Sequence, residues 1–189
     1  MALKIVATSI QDLFEGGIDT FLQEDTFIFN GLRRLLDQQF SRLSAIEQSI
    51  MYWLAINREW TTIADLQGDI VPALPKQRLL ETLEALSRRS LIEHNQARFT
   101  QQPVVMEYVT EQLIERVSEV LQAPQASLSI FNSHSLIKAT AKDYVRESQI
   151  RLILQPIAQR LIEQFSPATA IAEHLRGVLD IVRQGTATN

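Results

Sequence analysis

Three histidines, His94, His134 and His174, are the residues best able to exchange a proton near neutral pH or to hold a metal ion. They stand far apart, and none belongs to a His-Glu-x-x-His helix, so a zinc site would require convergence in the fold. His94 reads as a solvated turn residue, His134 as a helix-start residue, and His174, beside Glu173, as a surface residue. Cysteine is absent, which removes thiolate ligands, disulfides and cysteine nucleophiles. There is no Gly-x-x-x-x-Gly-Lys-Ser/Thr loop, no Gly-x-Gly-x-x-Gly turn and no Gly-x-Ser-x-Gly elbow. The acidic pairs Asp12/Glu15, Glu81/Glu84 and Glu111/Glu115 fall at helical spacing, where solvated faces are expected. General acid–base work needs a pocket and a shifted pKa as well. The chain is therefore expected not to be an enzyme, and no metal site is expected.

The elements that would position these residues are mostly helices. Leu3, Ile5, Val6, Ile10, Leu13 and Phe14 recur at helical spacing, and Glu15-Gly16-Gly17 supplies the stop. A second helix carries Phe29, Leu32, Leu36, Phe40 and Leu43 on one stripe. Ser44 with Glu47 is a capping-box signal opening the helix of Ile50, Trp53 and Leu54. Thr61-Thr62 starts a short helix that ends around Gly68. Pro75 suits the first turn of a third helix, with Leu79, Leu80, Leu83 and Leu86 inward. Leu91–Glu93 reads as a strand, His94–Ala97 as a turn and Arg98–Thr100 as the return strand. Pro103 starts a further helix with Val105, Val109, Leu113 and Val117 aligned. Beyond Pro124 the pattern is wholly helical, with a kink expected at Pro156, a turn at Ser166-Pro167 and a polar tail from Gln184. The expected fold is mainly α, with a winged-helix domain (three helices, short β-hairpin, helix) followed by a C-terminal helical domain. The expected divisions are 1–42, 43–122, 123–185 and a tail of 186–189.

The apolar fraction of 46% and charged fraction of 21% fit a folded chain and not a disordered one. The longest unbroken apolar run, Ile50–Ile56, is too short to cross a bilayer, and the first ten residues make no secretory signal. A cytoplasmic protein without a membrane partner is expected. The net charge of −4 lacks the basic surplus of a dedicated nucleic-acid binder. Lys76, Arg78, Arg88 and Arg89 nevertheless cluster about the third helix, and Arg98 sits on the proposed wing. In a DNA-binding winged helix the middle of that helix meets base edges and the wing meets phosphates. Here Glu81 and Glu84 occupy the middle, where they repel phosphate, and helix-end arginines also suit the helix dipole. Packing against protein is the favoured use of this face; DNA contact through those five residues is the alternative.

Several stretches resemble one family. Ala2-Leu3-Lys4 looks like the tail of a Gly-Leu-Pro-Leu-Ala-Leu-Lys motif, "LSAIEQSIMYWLAINREW" is similar to a winged-helix opening, and "LLETLEALSRRSLIE" with "FTQQPVVMEYV" looks like its third helix, wing and last helix. Together these resemble the regulatory segment of STAND-class signalling ATPases of the NB-ARC type. Such proteins include plant disease-resistance proteins, apoptotic adaptors and bacterial homologues. The resemblance is greatest to cyanobacterial members in which helices and then WD-type repeats follow. It implies a non-enzymatic segment that couples the nucleotide state of a core outside this chain to a C-terminal sensor. ATP or ADP would be bound by the parent protein and not by this chain. The implied partners are that core and those repeats, with oligomerisation on activation; the alternative is a DNA-binding regulator with a helical dimerisation tail. The family's Met-His-Asp triplet, whose histidine contacts ADP phosphate, corresponds to Gln101, Gln102 and Pro103. Gln102 retains a donor without the positive charge, and Pro103 removes the carboxylate.

Overall fold

The computed structural model describes residues 25–122, 129–165 and 168–186. The helix expected over Ala2–Phe14, its glycine stop, the Ala2-Leu3-Lys4 resemblance and the turn at Ser166-Pro167 lie outside these residues. The fold is mainly helical, with one small antiparallel sheet. No helix among the described residues is long and apolar enough to cross a membrane.

Helix α1 (Asp25–Ser41) buries Leu36 and Phe40, and Leu43 follows them into the core. Helix α2 (Ala45–Asn57) opens at Ser44, whose hydroxyl accepts the Glu47 amide while Glu47 returns to the Ser44 amide. This reciprocal cap satisfies donors that the first turn would otherwise leave unpaired. Arg58 ends α2 in the left-handed region, at φ 54°. Its side chain, only 9% exposed, donates to Thr110 and pairs with Glu107, and those contacts offset the unfavourable backbone. The next helix, α3 (Ile63–Asp69), carries the same reciprocal cap between Thr62 and Asp65. The helix ends at Asp69, next to Gly68 as expected, with Ile70 as its C-cap.

Helix α4 (Lys76–Arg88) follows Pro75, which stands at the N-cap, one position earlier than expected. Leu79, Leu83 and Leu86 are buried, but Leu80 is 41% exposed, correcting its inward assignment. One residue along a helix rotates a side chain by about 100°, so adjacent leucines cannot share a face. Strands β2 (Ile92–Asn95) and β3 (Arg98–Gln101) form the expected hairpin, with the turn shortened to Gln96-Ala97. Both turn residues have positive φ, 46° and 61°, as a two-residue turn matched to strand twist requires. The two-residue strand β1 (Thr61–Thr62) adds to the other edge of β3, giving the order β1-β3-β2.

Helix α5 (Pro103–Gln122) starts at the expected proline and runs through the middle of the molecule, packing on α1, α2 and α8. Helix α6 (Ser129–Ser133), helix α7 (Asp143–Gln149), a π-helical turn (Ile150–Leu154) and α8 (Gln155–Gln164) come next. The kink expected at Pro156 takes the form of that π-turn: the ladder widens just before the residue that has no amide proton. Helix α9 (Ala168–Thr186) extends past Gln184, where a polar tail was expected. One apolar core runs from Leu36 through Met51, Leu79, Val109 and Ile153 to Leu161. It crosses the expected divisions at 42/43 and 122/123.

Candidate functional site

Three surfaces bear the residues with functional chemistry. The first is the hairpin-to-helix junction. Gln101 closes β3 opposite Ile92, which turns its side chain inward to 3% exposure. Its amide donates to the Met51 carbonyl at 2.9 Å, and its own Oε1 has no partner among the described residues. Gln102 is also buried; its backbone carbonyl accepts the Met106 amide and its Nε2 donates to Glu93 at 3.1 Å. Only Pro103 of the triplet lies on the surface. One of the two Nε2 protons of Gln102 is therefore already engaged by the Glu93 carboxylate.

The second surface is the outer face of α4 with the hairpin edge. Lys76, Arg78, Leu80, Glu81, Glu84 and Arg88 are all exposed there. Arg88 pairs with Glu84 at 3.2 Å, and Gln77 donates to Glu81 at 3.0 Å. Arg89 turns back to Glu47 at 3.8 Å. Burial pushes the Glu47 carboxyl up, but hydrogen bonds from Ser44 and the charge of Arg89 outweigh it and hold the group below its usual range. Arg98 lies on β3 between Thr62 and Asn95, exposed. Its charge adds a small pull to that of the Thr62 hydrogen bonds, which chiefly lower the Asp65 carboxyl. The five basic residues thus do not form one cationic ridge. Acid is interleaved with them, and Leu80 stands in their midst.

The third surface was not legible in the sequence. It is a polar seam between α2–α3 and residues 129–149. His134 lies beyond the end of α6 and not at a helix start; it is 9% exposed and stacks on Trp53 with ring centroids 5.3 Å apart. Tyr52 meets the same imidazole edge-on at 5.7 Å, so both adjacent aromatics of α2 face this histidine. His134 Nε2 contacts the Ser49 hydroxyl at 3.1 Å, and Nδ1 contacts Ser133 at 2.9 Å. Burial lowers the imidazole pKa, against a weaker upward pull from the Ser49 and Ile130 backbone. Further along, Lys138 pairs with Asp69 at 2.6 Å, and Asn57 donates to the same carboxylate at 2.9 Å. Gln149, fully buried, bridges two segments: its amide donates to the Ile56 carbonyl and its oxygen accepts the Lys138 amide. Lys142 and Tyr144 both reach Glu59, and the Lys142 bond is the main cause of that carboxyl's lowered pKa.

The other histidines stand apart from this one. His94 is exposed on β2 rather than in the turn, against Phe99. His174, expected at the surface, is half-buried, stacked on Phe165 and bonded to the Leu121 carbonyl.

Fold and surfaces together describe a mainly α module whose polar chemistry joins helices and hairpin to one another. Over 217 aligned residues the chain is 48% identical to an uncharacterized WD repeat-containing protein of Nostoc sp. (strain PCC 7120). That match takes in 97% of the chain but only 17% of the relative's length. No family model matches the chain. No solved structure matches it either.

Proposed function

We propose that this chain is a non-catalytic regulatory segment of a longer, WD repeat-containing signalling protein of the STAND/NB-ARC type. The unit from α2 to α5 is read as a winged helix that closes over a nucleotide-binding core elsewhere in that protein. The C-terminal helices pass its movement to the WD-type sensor repeats. The observation that carries the reading is the near-complete match of this chain to a short part of a WD repeat-containing protein. The continuous core from α1 to α8 supports it, because a displacement of α4 is carried to α8 through packed side chains and not through a flexible linker. The mixed charge of the α4 face supports a protein neighbour over DNA. A two-state switch needs the nucleotide to contribute different contacts in the closed and open forms, and Gln102 gives one means: its amide exchanges Glu93 for a phosphate oxygen.

Calorimetric titration of the chain with ADP and with magnesium ATP tests the reading. Affinity weaker than micromolar and no ATP hydrolysis are expected. Sub-micromolar ADP binding by this chain alone contradicts it.

A further inference from the structure

Residues 129–149, comprising α6, the following loop and α7, are held differently from the rest of the fold. Helix α8 docks through the buried side chains of Ile153, Ile157 and Leu161. The 129–149 stretch buries only Ile130 and Val145 among its apolar residues, and its other two buried side chains are His134 and Gln149. Phe131 and Leu136 pack half-buried against the core, and the remaining ties to α2, α3 and the loop after α2 are the polar contacts of Lys138, Lys142 and Tyr144. Closure also leaves polar atoms stranded. Trp53 Nε1 and Asn57 Oδ1 beneath the stretch, and Arg146 Nε within it, are buried without a partner among the described residues. An unpaired buried polar atom is a standing cost that water would relieve. Two open clefts, of about 660 and 680 Å3, are lined in part by His134, and the first also by Trp53. At its C-terminal end the stretch meets the π-turn and Pro156, where the helical ladder is already irregular and bends most easily.

We infer that residues 129–149 form a detachable strap, closed by the Lys138–Asp69 pair and the Gln149 bridge, which swings about the π-turn to uncover Trp53 while α2, α4 and α5 stay folded. Opening gives Trp53 Nε1 and Asn57 Oδ1 the water they lack. Closing is selective, because Lys138 reaches Asp69 of α3 and Gln149 reaches the Ile56 carbonyl of α2, and the two are joined within the strap through the Lys138 amide. A partly buried ion pair contributes little net stability but is costly to leave half-made, which suits a contact that is either fully formed or fully released.

Native-state hydrogen exchange across a urea series, on the chain as it is, tests this first. The α7 amides are expected to exchange about a hundredfold faster than those of α2, through an opening with a shallower urea dependence. Equal rates and equal urea dependence in α7 and α2 overturn the proposal. Acrylamide quenching of Trp53, measured in a Trp60→Phe background, gives a second reading. Lys138→Met leaves Asp69 unpaired under a closed strap, so quenching of Trp53 should rise severalfold with helical circular dichroism unchanged. Adding Asp69→Asn removes the stranded charge, keeps an acceptor for Asn57, and should restore the shielding. Unchanged quenching in Lys138→Met overturns the strap. Should that variant fail to fold, Gln149→Leu is expected to expose Trp53 in the same way, and shielding retained there overturns it equally.

Discussion

Leu79 and Leu80 are neighbours in sequence and identical in chemistry, yet the structure gives them opposite environments, so a paired truncation tests the orientation of α4. Leu79 is fully buried with Leu83 and Leu86 beside it. Replacing a fully buried leucine by alanine removes its transfer energy and leaves a cavity, about 3 kcal/mol or more in sum. Leu80 is 41% exposed, so its truncation opens no cavity and should cost about 1 kcal/mol or less. Urea unfolding followed by helical circular dichroism converts these into midpoint shifts. With a slope near 2 kcal/mol per molar urea, Leu79→Ala should lower the midpoint by about 1.5 M and Leu80→Ala by less than about 0.5 M. Equal shifts, or a larger one for Leu80→Ala, would refute the orientation and with it the assignment of the acidic and basic residues to an outward face.

Ser44→Ala removes the acceptor of the α2 cap and should destabilise the chain by about 1 kcal/mol, read from the same urea midpoint. Stability should also depend on pH through His134. Its folded pKa lies below the ordinary 6.5, so the folded state binds fewer protons than the unfolded one. Its contribution is therefore complete above pH 6.5 and declines as the pH falls below that value. His134→Gln should flatten the urea midpoint over that window, and an unchanged slope would show that the imidazole is not what titrates. Below about pH 4.5 the lowered Glu47 and Glu59 carboxyls add a further loss as they protonate, in wild type and variant alike. In a duplex-DNA gel-shift series at rising salt, the chain should show no tight complex. A sub-micromolar complex that weakens steeply with salt, and disappears when Lys76, Arg78, Arg88, Arg89 and Arg98 are neutralised, would establish the DNA-binding alternative.

What could be read in the sequence was local. The Ser44–Glu47 and Thr62–Asp65 caps lie within four residues, and each side chain finds its partner inside its own turn. The hairpin and the start of α5 at Pro103 follow from turn chemistry and a fixed φ in the same way. Strand β1 escaped because two threonines make a strand only when β3, nearly forty residues on, offers an edge. His134 and Gln149 escaped for the same reason: their partners Ser49 and Ile56 are 85 and 93 residues distant. Leu80 was misplaced because four leucines in eight residues carry no mark of which one faces out. At the candidate site the hairpin itself was legible, although β3 runs on to Gln101 and not only to Thr100. The engagement of Gln102 with Glu93 was not, because it depends on the register that places the neighbouring strand beneath it.

The coupling role is tested most directly by ADP release from the full-length protein carrying Leu80→Asp, a change on the exposed face of α4 that the isolated chain should tolerate. Docking of that face against a nucleotide-binding core predicts release at least about tenfold faster than in the unaltered protein, equivalent to ~1.4 kcal/mol of lost closure. Release at the unaltered rate, with the variant folded, would contradict it.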